Sequence, residues 1–588
     1  MEIIDRLKKI GNALDKAGNI IQADFVDKNM VVLAMLMRNK KMKKEAGMAE
    51  DEIQRLFLAL LPGTKWANKV HSVGGFERDR AMGLPSKDLD IVIDSPKGGG
   101  SKEFSFFLHR IFPTQTTEPW QQGGKEDDEK EKKTYPIWGI SFKEDVTYKG
   151  EEYKTSGGDL DVADSQKEVF PDPTSRQRET YPATIEEDNA RRDFTVNMLM
   201  RDLTNGELID LTGHSLQDIK EGVLRHKDWM SMEESFSQDP LRIMRLIRFK
   251  CKYGWSVPHY VLKAAWKYGH KLENISWERI TGELSKIAAV GKMDEAVRFM
   301  RQIGVLHLLL PEIYGLIGVE QDDRHQEGDV YKHTLQVLSH APPTIEGQFS
   351  ALLHDVGKSK TQEFMEDKIT FYGHEKIGAE IAEAIMRRLK FDLDTIKTVK
   401  ALVRQHMSVP NLFSGENTSV KSYRRFIRKI GKELLDSLMD LARADSLGRL
   451  PQHDYIPEFR KKLEEAMSIP IADKPVIDGK EIMKLLGLKK GGKIIGRVMA
   501  FLKELSDEKA EEGIVLDKET ASQAVLEKFK DDIVPQKADD NEMFEKFISR
   551  LEKGEIEFSN TYPDNQDENH YPKGGRGPML LNDVPGPQ

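Results

Sequence analysis

The feature that most limits how this chain can fold is a change of texture near residue 215. Between Val70 and about Leu211 the apolar residues come in short strand-like runs, Ile91-Val92-Ile93, Ile137-Trp138-Gly139-Ile140 and Leu160-Asp161-Val162-Ala163, set apart by glycine-rich turns. From about 215 to 550 they recur almost throughout at helical spacing. One mixed α/β domain followed by helical domains is the arrangement this predicts. A length of 588 residues leaves room for about four domains at roughly 150 residues each, which excludes a single small binding module. Residues 1–60 read as two or three amphipathic helices ending at Leu61-Pro62-Gly63. A run without apolar side chains, about 121–133, predicts a solvated loop inserted into the α/β domain.

Hydrophobic residues make up 38% of the chain and charged residues 32%, enough apolar surface for most of it to fold. The net charge of −9 means that a nucleic-acid partner has to be held by local basic patches. The single Cys251 excludes an internal disulfide and a cysteine-based zinc site, and suits a reducing compartment. The longest apolar runs, such as Val31 to Met37, are far shorter than a bilayer requires. A cytoplasmic protein with no membrane partner is expected.

Residues 74–90 read Gly-Gly-Phe-Glu-Arg-Asp-Arg-Ala-Met-Gly-Leu-Pro-Ser-Lys-Asp-Leu-Asp and run into Ile91-Val92-Ile93. Paired glycines after an apolar run let backbone N–H groups approach a phosphate with no Cβ in the way, and Arg78 offers a bidentate partner a turn later. Asp88 and Asp90, two apart on a strand, project from one face, where oxygen ligands suit Mg²⁺. Singly each is ordinary, a tight turn or an edge strand with exposed acids. Here they occur together. The segment resembles the nucleotidyltransferase head of the class II CCA-adding enzymes and bacterial poly(A) polymerases, whose hallmark is Gly-Gly-x-Val-Arg-Asp followed by Asp-x-Asp. Phe76 and Glu77 stand at its variable and valine positions. The resemblance implies that Gly75 and Arg78 contact a nucleoside triphosphate and that Asp88 and Asp90 are catalytic and hold Mg²⁺. Asp161 is the candidate for a third metal carboxylate.

Two further segments extend the resemblance. In Glu187-Asp-Asn-Ala-Arg-Arg-Asp-Phe-Thr-Val-Asn-Met-Leu199, Asp188 is placed to cap a helix whose first turn carries Arg191, Arg192 and Asp193. The segment is similar to the family's Arg-Arg-Asp-Phe-Thr-Ile-Asn-Ala-Leu motif, which puts Arg192 on the nucleotide. Further on, Asp239, Arg242, Arg245 and Arg248 lie three apart beside an apolar stripe of Leu241, Met244, Ile247 and Cys251. Alone, this is a solvated arginine face on a packed helix. The resemblance assigns Asp239 and Arg242 to reading the incoming base, and Arg245 and Arg248 to the triphosphate. A carboxylate and a guanidinium match the amino donor and ring-nitrogen acceptor that cytosine and adenine share, and mismatch uracil and guanine. Gln238 stands where the family has Glu, a departure that bears on how tightly Arg242 is held.

Histidines gather between 325 and 406. Ala351-Leu-Leu-His-Asp-Val-Gly-Lys358 sets His354 beside Asp355, and together with His333 and Asp445 this order resembles the HD phosphohydrolase domain. The resemblance implies a metal centre on His333, His354, Asp355 and Asp445, with His374 and His406 available for a second metal. These ligand types suit a divalent transition metal (Ni, Mn or Co) or Mg²⁺. Some relatives with this domain hydrolyse 2′,3′-cyclic phosphates and 2′-nucleotides. The segment from Ile477 to Arg497 looks like the C-terminal part of the same enzymes. Its Lys489, Lys490, Lys493 and Arg497 offer phosphate contacts, as do Arg424, Arg425, Arg428 and Lys429.

Taken together, the resemblance implies a multidomain chain, an α/β nucleotidyltransferase head followed by a mostly α-helical neck, body and HD domain. The expected boundaries are an N-terminal extension over 1–60, the head over 61–214, the base-reading neck and body over 215–321 and the HD domain over 322–450. A tRNA-contacting helical region over 451–554 and a disordered tail over 555–588 follow. The implied activity is template-independent addition of CCA to the tRNA 3′ end from CTP and ATP, the 3′ hydroxyl attacking the α-phosphate and pyrophosphate leaving. The rivals are a poly(A) polymerase with the same head, a phosphohydrolase whose head only binds RNA, and a non-catalytic RNA-binding protein.

Overall fold

The computed structural model describes residues 49–84, 89–122, 136–169, 179–227, 231–321, 328–366, 368–415, 418–449, 452–468, 476–488, 492–511, 514–529 and 549. They fall into two compact units, one up to Leu463 and one from Glu464. Asp88, Lys489 and Lys490, the segments before residue 49, most of the polar loop and the tail over 555–588 lie outside the described residues.

The first unit opens with a mixed sheet. Its strands are β1 (Val70–Val73), β2 (Leu89–Ile93), β3 (Trp120–Gln122), β4 (Ile137–Ser141), β5 (Val146–Tyr148), β6 (Glu151–Tyr153), β7 (Asp159–Asp164), β8 (Gln166–Val169), β9 (Glu179–Pro182), β10 (Met200–Asp202) and β11 (Leu208–Ile209). Seven of them form one sheet in the order β11-β10-β1-β2-β7-β4-β3. Only β2 and β7 in it run parallel; the other neighbours are antiparallel. Gln121 and Gln122, expected in the loop, belong instead to edge strand β3, paired with β4.

Side chains alternate across a strand, and that alternation sorts the two faces. Leu89, Ile91 and Ile93 of β2, with Leu160 and Val162 of β7, face a core shared with Ile53, Leu56, Phe57 and Leu60 of the helix over residues 49–60 (α1). Phe104 and Leu108 of helix α3 (Gly100–Ile111) complete it. Each of these fully buried side chains contributes about 1.5–3 kcal/mol relative to exposure. α1 is therefore part of the head, which begins no later than residue 49 rather than at 61. Val92 lies on the opposite face with Val73, Ile185 and Met200, and so by alternation do Asp90 and Asp161.

Helix α2 (Gly75–Ala81) follows β1 directly, and α4 (Ile185–Ala190) covers the Val92 face. Thr184 caps α4 in a capping box with Glu187. Asp188 therefore lies inside α4, and Arg191 and Arg192 follow its end instead of opening a helix, contrary to the expected Asp188 cap. The neck is built from α5 (Met232–Gln238), α6 (Leu241–Tyr253) and α7 (Trp277–Ala288), with Ile243, Met244, Leu246 and Ile247 of α6 buried. Beyond it, α8 (Val330–His340), α9 (Ile345–Leu353), α10 (His374–Arg388), α11 (Leu393–Gln405) and α12 (Lys432–Leu447) form a helical domain. Arg424 is buried on the helix Val420–Ile430, so it is not available to a phosphate as expected; Arg425 and Lys429 are exposed.

The second unit packs Gly479–Leu485, Lys493–Glu511 and Lys518–Lys528 around Ile482, Leu486, Val498, Leu502 and Val525. Lys493 and Arg497 are exposed on it. Among the described residues no helix is long and apolar enough to cross a membrane.

Candidate active site and candidate metal centre

A cavity of about 510 Å³ opens between the end of β1, the segment after α4, and helices α6 and α7. Gly75, Arg78, Asp90, Arg192, Asp239, Arg242, Arg245 and Arg248, scattered over more than 170 positions of the chain, all line it. The lining also includes Glu168, Arg191, Asp193, Asn197, Phe249, Arg279 and Lys286. Eight cationic side chains face four carboxylates there, an excess of positive charge that suits a polyanionic ligand.

The turn that enters α2 is shaped by Gly74 at φ 70°, where a Cβ would stand 2.8 Å from Arg192 Nη1. Glycine is needed there both for its backbone conformation and for the close approach of the arginine. Arg192 and Arg191 share one acid: Asp188 Oδ2 accepts from Arg192 Nη2 at 3.2 Å, and Asp188 Oδ1 from Arg191 Nη2 at 2.9 Å. This explains why Asp188 does not cap a helix. Arg192 Nε is buried without a hydrogen-bond partner among the described residues.

Arg78 is less free than expected. Its Nη1 donates to Asn197 Oδ1 at 2.6 Å and its Nε to Asp79 Oδ1 at 2.8 Å, with the guanidinium 5.2 Å from the ring centres of Phe249 and Tyr253. It forms a wall of the cavity and ties α2 to α6. On the neck side, Arg245 Nε donates to Asp193 Oδ2 at 2.6 Å, and Arg248 Nε to Glu283 Oε2 at 2.5 Å. Burial pushes the Asp193 carboxyl up, but Arg245 and the hydrogen bonds from Asn197 and Phe194 hold it far below the usual carboxylate range.

Arg242 is buried, with Nη1 on Ser235 Oγ at 2.7 Å and Nη2 on the Arg191 carbonyl at 2.6 Å. Gln238 does not touch it, since its amide donates to Glu234 at 3.2 Å on an exposed face. The Gln-for-Glu departure thus leaves Arg242 held by Ser235. Asp239, at the end of α5, accepts from Leu241 N at the start of α6 at 3.2 Å and lies 3.6 Å from Arg279 Nη2. Asp161 on β7 is the register partner of Asp90 on parallel β2, so the two carboxylates project side by side from the same face. Gln122 Nε2 donates to Asp161 at 2.5 Å.

Asp193 and Asn197 were visible in the arginine motif but carried no assignment, and Arg279, Lys286 and Glu168 gave no signal. Their alternative reading, ordinary helix or strand surface, was equally consistent with their spacing.

The histidines assemble a second centre. His333 on α8, His354 after α9 and Asp445 on α12 form one cluster, and Asp355, His374 and His406 another, with ligand atoms within 4.8 Å of one another in each. Asp355 joins them: Oδ2 is 3.1 Å from His354 Nε2 and 3.6 Å from His333 Nε2, while Oδ1 is 3.5 Å from His374 Nε2 and 3.8 Å from His406 Nε2. His333 Nε2 is 3.0 Å from Asp445 Oδ1. His354, His374 and His406 each direct Nδ1 at a backbone carbonyl, of Ala351, Phe371 and Val403, at 2.8, 2.8 and 2.7 Å. Those bonds place a hydrogen on Nδ1 and turn the Nε2 atoms inward. Nε2 of His354 is 3.3 Å from Nε2 of His333, and that of His374 is 3.1 Å from that of His406. Nitrogens this close need a proton or a metal ion between them, and the buried nitrogen and carboxylate donors, with Asp355 beside both histidine pairs, fit divalent metal ions. Burial lowers the His333 imidazole and pushes that of His406 down to about 3. Burial acts to raise Asp355, yet His354 and Lys358 hold it well below the usual range, and Arg449 does the same for Asp445.

With this geometry in view, comparison with known proteins is decisive. Over residues 70–225 the chain matches the poly A polymerase head domain, over 258–316 the probable RNA and SrmB-binding site of polymerase A, and over 330–450 the HD domain. It is 31% identical over 339 residues to the CC-adding tRNA nucleotidyltransferase of Thermus thermophilus, covering 55% of this chain and 74% of that one. The chain belongs to the tRNA nucleotidyltransferase family. It is 32% identical over 346 residues to the A-adding tRNA nucleotidyltransferase of Deinococcus radiodurans, 55% of this chain and 75% of the relative. The multifunctional CCA protein of Neisseria gonorrhoeae is 28% identical over 412 residues, 66% and 87%. Among solved structures, a CCA-adding enzyme in its apo form II superposes with a TM-score of 0.53 at 22% identity, over 81% of this chain and 96% of that one. The Bacillus stearothermophilus CCA-adding enzyme in complex with CTP gives 0.50 at 18%, over 78% and 93%. The fold expected from the sequence, a nucleotidyltransferase head with a helical region and an HD domain, is the fold of this family, and the chain is a nucleotidyltransferase.

Proposed function

We propose that this nucleotidyltransferase completes the 3′ end of tRNA with CCA, drawing on CTP and ATP, in the cytoplasm. The observation that carries the reading is the one cavity in which the head's glycine turn and Asp90 meet the neck's Asp239 and arginines. Asp88, Asp90 and Asp161 would hold Mg²⁺, which would supply charge neutralisation for the transfer. The remaining work falls to the chain's own side chains. Gly74, whose own N–H donates to the Leu199 carbonyl, turns the chain so that the N–H of Gly75 at the start of α2 meets the phosphates. Arg192, Arg245 and Arg248 offset the triphosphate charge, while Arg78 braces the wall behind them. Asp239 accepts from the amino group of cytosine or adenine and Arg242 donates to the ring nitrogen, a pair that uracil and guanine cannot satisfy. Exposed Lys493 and Arg497 contact the tRNA backbone.

Incubation with tRNA lacking its 3′ CCA and labelled CTP or ATP, singly and together, tests this. C-then-A addition that stops is expected. Two C additions without A, or A alone, would instead match the split activities named for the Thermus and Deinococcus relatives. Unlimited A addition would indicate a poly(A) polymerase, and no addition would leave a head that only binds RNA.

The second centre we assign to metal-dependent hydrolysis of 2′,3′-cyclic phosphates and 2′-nucleotides. His333, His354, Asp355, Asp445, His374 and His406 would hold Ni²⁺, Mn²⁺, Co²⁺ or Mg²⁺, which would supply Lewis acidity toward the phosphoester. Lys358 Nζ, 2.7 Å from Asp355 Oδ2, keeps that carboxylate ionised and oriented. Hydrolysis of 2′,3′-cyclic AMP that vanishes on chelation, returns with metal and is absent in His354→Ala is the expected result; chelator-resistant hydrolysis would refute the assignment.

A further inference from the structure

Lys227 lies on the segment that leads from the head to α5, and it is 2% exposed. Its amine donates to the carbonyl of Ala190, the last residue of α4, and to the Arg192 carbonyl at 3.4 Å. The carbonyl between these two, that of Arg191, is the one that receives Arg242 Nη2 at 2.6 Å. Three successive carbonyls at the end of a helix are thus held by two donor side chains, Lys227 and Arg242. The residues so held, Arg191, Arg192 and Asp193, line the nucleotide cavity.

We propose that Lys227 is a positioning residue for nucleotide selection: by gripping the carbonyls on either side of the one that carries Arg242, it sets where the base-reading guanidinium stands. This rests on the reading of Arg242 given above. An Arg242 attached to a loosened loop keeps its charge but loses its direction, and hydrogen-bond discrimination between bases depends on direction.

The surroundings add a second consequence. Burial and the like charge of Arg242 push the amine down to about 7, against the pull of Asp193 and Glu234. Its chain neighbour His226 is also buried and is pushed down to about 4, so it stays neutral near pH 7. Near pH 7 the Lys227 amine is therefore readily discharged while the cavity is empty. A bound triphosphate brings negative charge into the adjoining cavity and favours the ammonium. Nucleotide binding therefore takes up a proton above pH 7, and affinity declines as pH rises from 7 to 8.

Calorimetry of CTP binding at pH 7.5 with Mg²⁺, in HEPES and in Tris, reads the proton directly in the wild-type protein. Net proton uptake is expected, falling to near zero in Lys227→Met and Lys227→Gln. In single-turnover addition to tRNA lacking its 3′ end, both variants should raise the KM for the correct nucleotide and reduce discrimination between CTP and ATP by about tenfold. Saturated rates should stay within about twofold at pH 6.5, and the pH dependence of KM should flatten. No proton uptake by the wild type, or unchanged discrimination in both variants while Arg242→Lys loses it, would overturn the proposal. Unchanged discrimination in Arg242→Lys would instead remove the base-reading assignment on which it rests, and the proposal with it.

Discussion

Asp193→Asn isolates the contact that joins head and neck across the nucleotide cavity. The Asp193 side chain is almost fully buried and accepts from Arg245 Nε at 2.6 Å, Asn197 Nδ2 at 2.8 Å and Phe194 N at 2.9 Å; Asn197 in turn accepts from Arg78. In the variant, whichever way the new amide turns, its NH₂ meets either Arg245 or Asn197, donor against donor. Breaking a buried ion pair costs about 3–5 kcal/mol. Arg245 keeps 35% of its side chain in water, which relieves part of that cost and leaves about 2–3 kcal/mol. A loss of that size lowers the melting transition of the first unit by several degrees. It also frees Arg245 and unseats Arg78, so the KM for CTP should rise at least about tenfold. The pH dependence has a defined sign. The Asp193 carboxyl is depressed in the folded state, so its contribution is complete above the unfolded value near about 3.9 and is lost as pH falls below it. The stability gap between wild type and variant is therefore constant from pH 5 to 8 and narrows below pH 4. Calorimetry at pH 7 and pH 4 together with a CTP-incorporation assay reads all three effects. An Asp193→Asn protein that melts and incorporates like the wild type at pH 7 would refute the reasoning.

Asp90→Ala should abolish nucleotide addition and leave cyclic-phosphate hydrolysis intact; addition at the wild-type rate would remove Asp90 from the reaction. Adding Mn²⁺ or Ni²⁺ to chelated protein should stabilise the helical domain by about 2.7 kcal/mol at a hundredfold excess over Kd. Thermal scans of Asp355→Asn should show no such gain, and an equal shift there would remove Asp355 from the metal-holding residues. Gly74→Ala forces a Cβ to within 2.8 Å of Arg192 Nη1 at φ 70°, costing about 1–2 kcal/mol in backbone strain and displacing the arginine. Weaker nucleotide binding is expected, and unaltered affinity would show the close approach to be dispensable. Gln238→Glu should change the CTP/ATP preference by less than about twofold, because Gln238 contacts Glu234 and not Arg242; a larger change measured in competition would reopen that link.

The parts of the site that could be read from the chain are those in which chemistry repeats at short range. Gly74-Gly75, Asp90 and the Asp239–Arg248 ladder are local patterns, and so is His354-Asp355. Expectations failed where a residue had a choice of partners. Asp188 has the side chain of a helix cap, but Thr184 and Glu187 form the cap and Asp188 takes both following arginines instead. Arg424 belongs to a basic helix, yet the packing of Val420–Ile430 buries it. The helix over 49–60 reads as one more amphipathic segment, and only its apolar stripe meeting β2 and β7 makes it part of the head.

The sequence by itself determined the strand and helix periodicities, the residue types that can bind phosphate and metal, and the order in which they occur. Those depend on neighbours within a few positions, whose geometry is set by the backbone. Tertiary structure alone decided that Asp161 stands beside Asp90 in register, that Asp193 joins Arg245 to Asn197 and so to Arg78, and that Asp355 lies between two histidine pairs. Distances between elements follow from how buried faces pack, and a buried charge accepts whichever partner that packing brings within reach.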